Sequence, residues 1–161
     1  MNKEILDLLE EDSTLAPEKI STMLDMPVDE VKEEINQLEE ENIIVKYHTL
    51  IDWEKTDKEV VSAFIDVKMT PEREVGFDAV AKRIYGFPEV SSVYLISGGY
   101  DLAVEVKGKT MKEVALFVAE KLAPIDHIKS TTTHFLLKTY KKDGVIFKGE
   151  NESDERLVVS P

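Results

Sequence analysis

Cysteine is absent from this chain of 161 residues. Its absence excludes disulfides, thiolate catalysis and cysteine-based zinc sites, and agrees with a reducing compartment. Also missing is any apolar run of about 18 residues, so no membrane-crossing helix is expected. The opening MNKEILDLLEED turns acidic within four residues and lacks the apolar block of a signal peptide, which points to a cytoplasmic protein. No HExxH, GxSxG, Walker A or Rossmann signature occurs. The histidines His48, His127 and His134 are too scattered for a metal-ligand cluster. No cofactor, no metal and no enzymatic activity are expected.

Basic residues are unevenly placed. Residues 1–55 contain 5 Lys against 16 Asp plus Glu, a net charge of −11. Residues 56–161 contain 15 Lys plus Arg against 17 acids, a net of −2. Such asymmetry suggests two units with different surfaces and partners. The first should be repelled by nucleic acid and anionic membranes.

What is present has clear periodicity. Ile5, Leu6, Leu8 and Leu9 mark an amphipathic helix ending near Asp12. Pro17 suits a first helical position, followed by Ile20, Met23 and Leu24 on one face. Asp25-Met26-Pro27 makes a tight turn, and Val31, Ile35 and Leu38 form an i, i+4, i+7 stripe on a third helix. Asn42 suits a left-handed cap, and the β-rich Ile43–His48 is expected to form a wing. After a polar linker the order becomes strand, helix, strand, strand, helix, strand. Val61, Ala63, Ile65 and Val67 alternate as a half-buried strand. Thr70-Pro71 opens a helix stopped by Gly86-Phe87-Pro88, and Val90–Ile96 is a strand. Ser97-Gly98-Gly99 turns into a strand over Tyr100–Lys107. Thr110-Met111-Lys112-Glu113 fits a capping box on a helix ended by Pro124. Ile128–Tyr140 is the last long strand. The fold class is therefore α+β, an N-terminal winged helix-turn-helix followed by a ferredoxin-like βαββαβ unit. The expected division is 1–52 for the winged helix, 53–59 for the linker, 60–142 for the ferredoxin-like domain and 143–161 for a tail. Val145-Ile146-Phe147 and Leu157-Val158-Val159 in that tail could add edge strands in an oligomer. Trp53, in the linker, reads as a packing anchor between domains.

With its Gly-x-x-Asp turn at Gly98–Asp101, this arrangement resembles the leucine-responsive and asparagine-operon regulators, the Lrp/AsnC family. Val31-x-x-x-Ile35-x-x-Leu38-Glu39-x-x-x-Ile43-Ile44 is similar to the family's recognition helix and wing. Ser97-Gly98-Gly99-Tyr100-Asp101-Leu102 is the more specific match. The resemblance implies a transcription regulator whose RAM-type C-terminal domain forms a homodimer or higher even-numbered oligomer and senses an amino acid. It also implies DNA as a partner.

Candidate effector contacts are Ser97, Gly98, Gly99, Tyr100, Asp101, Thr131 and Thr133, with Thr132 alongside. Bare glycine amides could hold an α-carboxylate, and Asp101 could accept from an α-ammonium. Gly-Gly equally suits a two-residue hairpin turn, and a threonine run suits a strand. Candidate DNA contacts are Lys19, Lys32, Gln37, Lys46, Tyr47 and His48.

Departures from the family pattern bear on those DNA contacts. Glu34 and Gln37 stand where the reading helix commonly has Arg, Asn42 replaces a Gly, and Pro27-Val28-Asp29-Glu30 replaces a serine-rich start. A lost bidentate base contact removes about 1–3 kcal/mol, and an added acid repels phosphate. A second reading is therefore a regulatory partner that does not bind DNA, its acidic domain contacting protein. A third is a tetrapyrrole decarboxylase of related architecture, with His48 and His134 as its functional histidines.

Overall fold

A computed structural model describes residues 2–70 and 76–147. The chain divides into two compact units, Met1–Ile51 and Asp52–Pro161.

The first unit is a three-helix cluster. Helix α1 spans Lys3–Glu11, α2 Pro17–Leu24 and α3 Val28–Glu40. Asn2 caps α1 by accepting from the Glu4 amide, and Pro17 starts α2 at a position with no intrahelical N–H bond to lose. Asp25, in the left-handed conformation at φ 52°, ends α2 and sharpens the turn into α3. Ile5, Leu9, Ile20, Val31 and Leu38 are buried together, flanked by half-buried Leu24, Ile35 and Ile44. Each such aliphatic side chain contributes about 1.5–3 kcal/mol when fully buried.

The expected wing does not form. Asn42 does adopt the left-handed conformation, at φ 55°. It turns the chain so that the Ile43 and Ile44 amides both donate to the Leu38 carbonyl, at 2.9 and 3.0 Å. Those amides close the end of α3 and are lost to any ladder. Residues 43–50 carry no strand, for all their β-branched content, because a strand needs a partner as well as propensity.

The second unit is built on a four-stranded antiparallel sheet in the order β2-β3-β1-β4. Its strands are β1 Val61–Met69, β2 Val90–Leu95, β3 Leu102–Gly108 and β4 Ile128–Phe135. Helices α4 (Phe77–Tyr85) and α5 (Met111–Phe117) connect them in ferredoxin-like fashion. Alternation places Ala63, Ile65, Val67 and Met69 of β1 on one face with Leu102, Val104 and Val106 of β3. Val80 and Ile84 of α4, and Val114 and Phe117 of α5, complete this core. The Phe117 ring meets Phe87 edge to face, with centroids 5.5 Å apart. The opposite face carries Phe64, Asp66, Ala103, Glu105, Tyr94, Thr132 and His134, with Phe64 and Tyr94 exposed.

Several boundaries differ from expectation. Thr110 caps α5 by accepting from the Glu113 amide, while Glu113 reaches back to the Lys109 amide, one residue before the usual capping-box partner. Beyond Phe117 the helix widens into a π-helical turn over Val118–Leu122, closed by Ala123 donating to Val118 O. Strand β4 stops at Phe135, five residues short of Tyr140. Tyr100 and Asp101 precede β3 and do not belong to it. Val145–Ile146 (β6) pairs with Lys141–Lys142 (β5) of the same chain. That small ribbon turns at Asp143-Gly144, whose φ values of 47° and 79° are those a type I′ turn requires. Pro71 at the expected helix start and Leu157-Val158-Val159 lie outside the described residues.

Ile65, buried and central in β1, tests the core. Ile65→Ala is expected to destabilise the second unit by about 2–5 kcal/mol in urea denaturation, through lost burial and the cavity left behind.

Candidate functional site

Two groups of residues matter, one in each unit. In the first, α3 presents the acids expected from its sequence, yet the molecule occupies several of them. The Glu34 carboxylate, in the position where the family commonly has Arg, accepts the Asn2 backbone N–H at 2.6 Å. That bond holds its carboxyl below the usual range, and Glu34 is half-buried. Its negative charge is therefore partly spent inside the unit, pinning the chain's start against α3.

Three of the six expected DNA contacts, Lys32, Gln37 and Tyr47, are engaged in the same way. Lys32 pairs with Glu18 at 3.0 Å, and Gln37 donates to Glu41 at 2.7 Å. The Tyr47 hydroxyl donates to Glu39 at 2.8 Å. Partial burial, together with that carboxylate, pushes the Tyr47 pKa up to about 12, so its phenol stays protonated as a donor. Lys19 lies close enough to Asp12 to help lower its pKa, after the stronger hydrogen bonds from Thr14. Lys46 and His48 are exposed and make no ion pair among the described residues. A cation already held by an acid releases fewer counterions from DNA, so few positive charges remain for phosphate.

In the second unit, a loop joins β2 to β3 across Ile96–Asp101. The Ile96 amide donates to the Asp101 carbonyl at 3.0 Å, so four residues intervene in place of the expected two-residue turn. Asp101 anchors this loop at the point where the β1–β4 register shifts, between Lys68 and Met69. Its own amide donates to Val67 O at 3.0 Å. Its carboxylate accepts the Met69 amide at 2.7 Å and the Lys68 Nζ at 3.3 Å. The Met69 amide bond is the chief cause of a lowered Asp101 pKa, outweighing partial desolvation, with Lys68 assisting. The Asp101 carboxylate is thus already committed to the backbone of β1. Lys68 and the Met69 amide had no signal in the linear sequence, because only the strand register brings them there.

Tyr100 extends along the open face of the sheet, its hydroxyl 3.0 Å from Thr132 Oγ1. The expected threonine group is divided by the strand's alternation. Thr132 faces Asp66 on the open side, whereas Thr131 and Thr133 pair with Val67 and Ile65 on the helix-covered side. Ser97, Gly98 and Gly99 are exposed.

Gly98 and Gly99 do not adopt the left-handed backbone that glycine alone tolerates well. A Cβ built on either meets nothing within 4 Å. The isolated chain gives no steric or conformational reason for two glycines at this place.

His48 and His134 fall in different units. His134 Nε2 lies 3.0 Å from Asp66 Oδ2 on the open sheet face. Among the described residues no group of three or more His, Asp or Glu side chains could hold a metal ion, and no helix is long and apolar enough to cross a membrane.

The Asp101 anchor has a pH signature. Its folded-state pKa is depressed, so its stabilisation is present above the unfolded value near 3.8 and is lost as pH falls through the folded value. Asp101→Ala should cost about 1–3 kcal/mol at pH 7 by stranding the Met69 amide, and the gap to wild type should narrow below about pH 4. Chemical denaturation at pH 7 and pH 3 checks both; an equal gap at the two values would contradict this role.

Comparison with known proteins agrees with this architecture. Residues 62–146 match the Lrp/AsnC ligand binding domain. The chain is 54% identical over 159 residues to the HTH-type transcriptional regulator YugG of Bacillus subtilis, covering 98% of this chain and 95% of that protein. It is 34% identical to the HTH-type transcriptional regulator PH0140 of Pyrococcus horikoshii, over 88% of this chain and 87% of that one. Among solved structures, Escherichia coli AsnC superposes with a TM-score of 0.69 at 16% identity, covering 87% of this chain and 92% of AsnC. The L-Met complex of regulator NMB0573 from Neisseria meningitidis superposes with a TM-score of 0.70 at 23% identity, covering 88% and 93%. These two share the fold. By its domain match and its regulator relatives, this chain is a transcriptional regulator of the Lrp/AsnC family.

Proposed function

We propose that the protein senses an amino acid, or a metabolite with the same amphoteric head, at the loop Ser97–Asp101. The two glycines carry the reading. Neither their backbone angles nor crowding within the chain requires glycine, so open space above them is left for something from outside to approach the backbone closely. Amides of residues 97–99 would bind the α-carboxylate. Tyr100, held by Thr132, would flank the bound ligand. Asp101 would position the loop, its carboxylate being shared between Met69 and Lys68. The L-Met complex of the Neisseria regulator, a protein of the same fold, favours this class of ligand.

The open sheet face, with exposed Phe64 and Tyr94, would be covered in an even-numbered homo-oligomer. An effector can alter such an assembly, and thus the disposition of the N-terminal helical units, only through a difference in affinity for its two arrangements. Direct contact with DNA would draw on Lys46, His48 and several copies acting together, since avidity compensates weak single sites. The engaged donors on and beside α3 favour one further reading, in which the acidic unit contacts a basic protein surface.

The glycines test the sensing site. Gly98→Ala and Gly99→Ala should leave stability unchanged or raise it by up to about 1 kcal/mol, by restricting the unfolded chain. Both should weaken binding in a calorimetric screen of L-amino acids. Binding that survives both changes, or that wild type never shows, would remove this loop as the sensor. Mobility shifts with the protein's own upstream DNA should show a salt-sensitive complex. Absence of any shift at low salt would leave the protein-contact reading.

A further inference from the structure

The ribbon at the end of the described chain is the reverse of the first unit in charge and is largely uncovered. Residues Leu136–Phe147 carry Lys138, Lys141 and Lys142 against Asp143 alone, a net of +2 in a chain of net −13. None of these three lysines forms an ion pair among the described residues, and Lys138 lies 5.1 Å over the Tyr140 ring. The apolar members are unusually bare: Leu137 is 84% exposed, Tyr140 71%, Ile146 65% and Val145 55%. Register sets Lys141 opposite Ile146 and Lys142 opposite Val145. Each face of the ribbon therefore combines a cation with an aliphatic side chain.

A two-stranded ribbon this short is marginal in water without something to pack on. Its aliphatic content distinguishes it from a pure phosphate-binding element, which would be polar throughout. Its charge calls for an acidic protein surface, and this chain carries one. Asp29, Glu33 and Glu40 lie on α3 opposite the Val31–Ile35–Leu38 stripe, and all three are exposed.

We infer that the β5–β6 ribbon of one copy docks on the acidic outer face of α3 in a second copy. The contact would bury the ribbon's aliphatics and neutralise acids that otherwise repel DNA. It stands on charge and exposure, and does not depend on the loop Ser97–Asp101 sensing an amino acid.

Because the chain lacks cysteine, the test is direct. One full-length chain carries Glu33→Cys and another Leu137→Cys, both at exposed positions. Mixed under mild oxidation, they should form a disulfide-linked heterodimer faster than either chain links to itself. Adding Lys138→Glu, Lys141→Glu and Lys142→Glu to the second chain should slow it about tenfold, the effect of three weak ion pairs lost together. Raising the salt should slow it as well. Circular dichroism would confirm that the variants fold. Cross-linking no faster than for a control pair of Glu33→Cys with Lys82→Cys would overturn the inference. So would a triple-lysine variant that cross-links normally but no longer shifts DNA, which would make the ribbon a phosphate contact.

Discussion

The register of β1 between β3 and β4 is the constraint on which the second unit depends. Because side chains alternate along a strand, one choice of pairing settles two surfaces at once. Ile65 opposite Val104 and Thr133 sends the odd residues of β1 under the helices and builds the core. The same register puts Asp66 beside His134, and Thr132 within reach of Tyr100, on the opposite face. Its single irregularity, between Lys68 and Met69, frees an amide that Asp101 takes up. A slip of one residue would exchange the two faces and leave the loop Ser97–Asp101 without its anchor.

In the first unit, electrostatics is settled locally. Acids on and around α3 would repel DNA if all projected into solvent. Several do not. Glu34 holds the Asn2 amide, Glu39 holds Tyr47, Glu41 holds Gln37 and Glu18 holds Lys32. Such exposed pairs contribute little stability individually. Their consequence is functional, since each also occupies a donor that phosphate would need. Membership of a family of transcriptional regulators therefore coexists with a reading helix that brings few charges of its own to DNA. In the proposed homo-oligomer, neighbouring copies would supply what the helix lacks, as cations or as avidity.

Much of this was legible in the sequence, and the failures have identifiable causes. The stripe Val31, Ile35 and Leu38 and the alternation Val61, Ala63, Ile65 and Val67 were readable because burial imposes a period. Asn42 was readable as a left-handed cap, but its consequence was not. By turning Ile43 and Ile44 back onto Leu38, it spends the amides that a wing would use. The threonine run is ambiguous without register, because adjacent residues on a strand face opposite ways. Asp101 looked available to a ligand because its two partners lie 32 and 33 residues away in sequence. The ribbon at Lys141–Ile146 did have a local signal, Asp143-Gly144, the residue pair that type I′ turns favour.

The proposed sensing of an amino acid turns on the exposed loop between β2 and β3. Hydrogen–deuterium exchange on the full-length protein, with and without the amino acid that binds in the calorimetric screen, tests it most directly. Amides of residues 97–101 should be slowed on binding, together with those of the strand ends they touch near Met69. Protection elsewhere with this loop unchanged would contradict the account.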